Sequence, residues 1–200
     1  SVVRAGTLGL AFGLGFLGPL MFGLHYVGFV AYVALLIAAL SASLSQAASE
    51  PRPERVTFDR QTLTLVKQDE NSKEYIPARE TPDNWTKFAA IRVIPGSDDP
   101  AKVAADLIAL LARQNPMARA ETLADPKTGV HIVAYLTWPQ DQSHVEFNIF
   151  KLTKRPEGGL DVQQYSIREY KDTVEFVKGL KPVRERLLRQ MSSTGLRIRS

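Results

Sequence analysis

Asp141, His144 and Glu146 stand close together between two apolar runs, and they are the residue types of acid–base chemistry. A carboxylate beside an imidazole could hold a cation or move a proton, as in a hydrolase. Their setting argues for something plainer. The stretch Pro139-Gln140-Asp141-Gln142-Ser143 reads as a hairpin tip, and such tips are commonly this polar. Ser143 and Ser166 lack an elbow motif and an evident base partner. The chain has no G-x-G-x-x-G, no G-K-[S/T] loop and no H-E-x-x-H. It has no Cys, which removes thiolate metal sites and Cys nucleophiles. His131 and His144 belong to successive strands whose turn pairs Trp138 with His144, so the two rings are expected far apart. No metal site and no cofactor is expected.

A second place of interest is Asn84-Trp85, where an amide and a large ring could bind a small ligand; the blander reading makes Trp85 a core anchor. A third is the basic run Lys178, Lys181, Arg184, Arg186 and Arg189, which could dock on anionic lipid or form a solvated helix face. Nucleic acid is not expected as a partner, because the aromatic residues follow the strands and these basic residues do not alternate with them.

The elements that must position these residues follow from periodicity. Residues 56–60, 62–67, 86–94, 118–123, 130–138, 144–154 and 160–170 read as strands, most clearly 130–138, where Val130, Ile132, Ala134, Leu136 and Trp138 alternate with His131, Val133, Tyr135 and Thr137. Thr81 or Asp83 is expected to cap a short helical turn leading to Trp85. Asp98 or Asp99 is expected to cap a helix that runs from Pro100 to Asn115-Pro116, with Val103, Leu107, Leu110 and Leu111 on one face. A last helix is expected from Asp172-Thr173-Val174-Glu175, spaced as a capping box, with Pro182 kinking or restarting it. The fold class is therefore α+β: an antiparallel meander packed with two helices.

Tyr75-Ile76-Pro77, followed by Glu80-Thr81-x-x-Asn84-Trp85-Thr86 and then a strand and a helix, resembles a family of uncharacterised bacterial envelope proteins. That family is similar to the α/β/α sandwich of extrinsic photosystem proteins. The resemblance covers about residues 75–190 and implies fold and compartment, with no catalytic residues to carry across.

In front of all this, residues 5–49 contain no Asp, Glu, Lys or Arg. About 20 apolar residues cross a bilayer core, and residues 26–44 suffice. Ser45 and Ala47 have the small side chains that a signal peptidase accommodates, which places a cut after Ala47, with Met21 as the functional start of an ordinary signal. A retained membrane anchor is the alternative. The expected organisation is a signal or anchor over 1–48, a linker over 49–55, one α+β domain over 56–192 and a flexible basic tail over 193–200. Either reading puts the domain outside the cytoplasm, periplasmic or secreted if cleaved and membrane-tethered if not. The sequence points to a non-catalytic binding or interaction domain whose partner is an envelope protein or small ligand. The alternatives are a hydrolase built on Asp141, His144 and Glu146, and a tethered protein whose basic helix meets anionic membrane.

Overall fold

The computed structural model describes residues 53–199. The apolar front over 1–48 lies outside them, and among the described residues no helix is long and apolar enough to cross a membrane. The elements run β1 (Arg55–Phe58), β2 (Gln61–Gln68), β3 (Ser72–Ile76), β4 (Lys87–Ile94), α1 (Pro100–Gln114), β5 (Arg119–Asp125), β6 (Val130–Thr137), β7 (Val145–Lys154), β8 (Leu160–Glu169), α2 (Thr173–Ser193) and β9 (Arg197–Arg199). The strands form one sheet in the order β5-β6-β7-β8-β4-β3-β2-β1-β9. Two meanders, β1–β4 and β5–β8, are thus sewn together where β4 pairs antiparallel with β8, Phe88 opposite Ser166 and Arg92 opposite Val162. The α+β class and the antiparallel meander are as the periodicity predicts.

Because side chains alternate across a strand, each face of the sheet can be read from the register. Ile132 and Ala134 of β6, Phe147 and Ile149 of β7, Tyr165 and Ile167 of β8, Ala89 and Tyr75 share the first face, and all join one core with Leu180, Leu187 and Met191 of α2. Leu187 and Met191 are fully buried there, each stabilising the fold by about 1.5–3 kcal/mol. Thr137 points to the second face. Its hydroxyl meets the amide Nδ2 of Asn115, the residue that ends α1. α1 packs over β6 and β7, so the two helices cover opposite faces. Asp99 caps α1, its Oδ1 accepting the N–H groups of Ala101 at 2.9 Å and Lys102 at 3.0 Å, while Asp98 pairs with Lys154 instead.

Three local expectations are corrected. α2 does not restart at Pro182 but continues through it to Ser193; proline frees the Lys178 carbonyl, and both residues are exposed, so water can satisfy it. Asp172 makes no side-chain cap bond; the Glu169 carboxylate takes the Lys171 N–H at 2.9 Å, just ahead of the helix. Residues 197–199, expected to be loose, form β9 against β1, with Ile198 opposite Val56. Gly195 turns the chain back at φ +66, where a side chain would run into the Gln163 amide, and Gln163 Oε1 accepts the Leu196 N–H at 2.8 Å.

Candidate functional site

The connection from β3 to β4 is long for neighbouring antiparallel strands, and it is tied by its own residues. Glu80 Oε2 accepts the Thr86 N–H at 2.6 Å and Glu80 Oε1 accepts the Thr86 hydroxyl at 2.7 Å. Inside this clasp the Asn84 N–H donates to the Thr81 carbonyl at 3.0 Å, and Thr81 and Asn84 form an isolated bridge rather than the expected helical turn. Glu80, Thr81, Asn84 and Thr86 thus build a closed loop, and Trp85 plugs it into the second face of the sheet, clustered with Ile76, Phe88 and Ala90.

Beneath the loop lies a buried ion pair. Arg168 Nε donates to Glu146 Oε1 at 2.7 Å, and its guanidinium carbon sits 3.8 Å from the centre of the Trp85 ring. Both side chains are almost wholly out of solvent, 6% and 3% exposed. The Arg168 N–H donates to the Thr86 carbonyl at 2.9 Å, and the Tyr170 hydroxyl donates to the Trp85 carbonyl at 3.2 Å. A polar row continues across the same face: Arg92 donates to Gln164 at 2.9 Å and Glu74 at 3.2 Å, and Gln164 donates to Ser166 at 3.0 Å. Burial lowers the Arg92 guanidinium to about 10, with Glu74 pulling the other way; it remains charged at neutral pH. Ser166 is fully buried and donates to Asn148, so it belongs to this framework.

On the outer side of the loop is an open recess of about 200 Å³, lined by Arg79, Glu80, Thr81, Asn84 and Thr86. Of the two expected binding residues, Asn84 lines it, whereas Trp85 is buried behind it and serves as the anchor. Arg79, Thr81 and Asn84 are exposed. Their side chains make no hydrogen bond or ion pair among the described residues. Sequence reasoning missed Arg79; its place one residue ahead of Glu80 was the available clue.

The hairpin tip behaves otherwise. Asp141 is exposed, and its Oδ1 accepts the Ser143 N–H at 3.0 Å. The Ser143 hydroxyl lies 2.9 Å from His144 Nδ1, and His144 Nε2 lies 3.3 Å from Glu146 Oε1. His144 and Glu146 are therefore brought together, but Glu146 is committed to Arg168, and the recess includes none of these residues. His131 sits opposite Leu152 on β7, away from His144. Among the described residues no cluster of three or more His, Asp or Glu could hold a metal ion. On α2, Lys178 pairs with Glu175, Arg184 with Glu121 and Arg186 with Asp59, so three of the five basic side chains are already matched.

No curated protein matches the chain. Among solved structures it is similar to a mutant form of the protein Mog1, at TM-score 0.45 and 11% identity over 68% of this chain and 89% of that one. It is also similar to the Saccharomyces cerevisiae Ran-binding protein Mog1p, at TM-score 0.46 and 11% identity over 68% and 88%. A protein-family model matches residues 51–196, from the residues ahead of β1 through the end of α2, and the chain belongs to that family.

Proposed function

We propose that residues 53–199 form a non-catalytic binding domain that works outside the cytoplasm, and that the recess beside residues 80–86 receives its partner, an envelope protein or a small ligand. One observation carries this reading: a loop clasped by Glu80 and anchored by Trp85 presents Arg79, Thr81 and Asn84 with their hydrogen-bonding groups unspent. A rigid frame with free polar groups recognises a partner at low ordering cost. The recess is smaller than the about 300–1,000 Å³ of sites that enclose a drug-sized molecule, which suits one functional group of a partner or a very small ligand. The compartment rests on the charge-free stretch 5–49 and its small-residue ending.

The chain has no Cys, so Asp83→Cys, at an exposed position next to Asn84, gives this chain a single thiol beside the recess. A membrane-impermeant maleimide is expected to label it in intact cells, and more slowly than in the purified protein because a partner covers the recess. Labelling only after lysis would remove the compartment from this reading. Equal rates in cells and in isolation would remove the partner.

A further inference from the structure

We infer that the recess is a receptor for one carboxylate group, held by Arg79 with help from Thr81 and Asn84. This rests on the proposed binding role and names the chemistry of its ligand. Arg79 and Glu80 are neighbours in the chain, yet they do not pair, because both Glu80 oxygens are turned to Thr86. The Arg79 guanidinium is left exposed on the recess wall. Its planar fork of donors fits a carboxylate through two parallel hydrogen bonds. Thr81 and Asn84 line the same recess, and their hydroxyl and amide are further donors, both unspent.

Charge selects among anions. The lining carries one cation, Arg79, and one carboxylate, Glu80. A single negative charge is matched by Arg79. The second charge of a phosphate dianion would face Glu80 with no further cation in the recess to balance it. Size agrees: with water occupying about 30 Å³ in the liquid, a space of about 200 Å³ admits a carboxylate and a few attached atoms, and the rest of the ligand stays outside. A free organic acid and the acidic end of a peptide present this same group.

The test titrates the full chain, in detergent micelles, while following the backbone amide resonances of Thr81, Asn84 and Thr86. The probes are N-acetylglycine, its neutral counterpart N-acetylglycinamide, inorganic phosphate, and one short peptide made with a free and with an amidated C-terminus. N-acetylglycine is expected to move these resonances, with phosphate weaker and the neutral amide inert. Arg79→Gln should weaken N-acetylglycine by about tenfold or more, the loss of a charged hydrogen bond, and Arg79→Lys by less. If the free-end peptide binds more tightly than N-acetylglycine and its amidated form does not, the carboxylate comes from a peptide; equal affinities point to a small acid, and both results uphold the inference. Equal binding of the neutral amide, unchanged by Arg79→Gln, would overturn the carboxylate and leave the binding role standing. Silence from every probe would also overturn it, while the labelling of Asp83→Cys judges the binding role separately.

Discussion

Two polar connections at the second face of the sheet invite comparison, the loop of residues 77–86 and the hairpin tip of residues 138–144. Both are rich in side chains that can bind or react, and they are held by the same ion pair, since Arg168 touches Trp85 on one side and Glu146, next to His144, on the other. They differ in what is left over. In the tip the groups of acid–base type are engaged: Asp141 with the Ser143 N–H, Ser143 with His144, and Glu146 with Arg168. In the loop the work is divided. Glu80 and Thr86 close it, and Arg79, Thr81 and Asn84 remain unspent beside a recess. Reactive residue types thus mark the tip, whereas available ones mark the loop, and availability is what recognition requires.

The largest effect should come from the support the two regions share. Glu146→Ala strands the Arg168 charge in the interior and should cost about 3–5 kcal/mol in urea unfolding, loosening the loop as well as the tip. An effect confined to the tip would break the link between them. Glu80→Ala should cost less, about 1.5–3 kcal/mol for two hydrogen bonds to one carboxylate, and should raise amide hydrogen exchange at Asn84 and Thr86 while leaving Ser143 unchanged. Asn84→Ala should stay within about 0.5 kcal/mol of the parent in stability, so that any loss of binding is read as recognition alone.

The smallest effect belongs to Asp141. The N–H and hydroxyl of Ser143 hold its carboxyl below the ordinary 3.8. A carboxylate with a lowered pKa contributes stability that is present above its ordinary value and lost as pH falls through the lowered one. Thermal unfolding of the protein and of Asp141→Asn should therefore differ slightly at neutral pH and converge in acid.

What could be read from the residues follows the range of each interaction. Period-two alternation over 130–138 depends on near neighbours, and β6 forms as expected. So does the Asp99 cap. The β4–β8 junction depends on residues more than seventy positions apart, such as Arg92 and Gln164, and no local pattern encodes it; Arg168 under Trp85 was invisible for that reason. β9 was missed because three exposed residues carry little pattern, and its pairing depends on the chain's return at Gly195. In place of the Asp172–Glu175 box, Glu169, three residues ahead of it, accepts the Asp172 N–H that Glu175 would have taken. The motif singled out Asn84 and Trp85 together, and only the geometry shows that Asn84 lines the recess while Trp85 is buried behind it.

The central claim, that the outward wall of the 80–86 loop is where a partner sits, is tested most directly by photo-crosslinking. A photoreactive side chain is placed at position 83, beside the recess, or at position 141 of the chain in cells. Both positions are exposed and neither is needed for the buried framework. A discrete adduct from position 83, abolished by Arg79→Gln, with none from position 141, is the result expected here. An adduct from 141 alone, or one from 83 indifferent to Arg79→Gln, would contradict it.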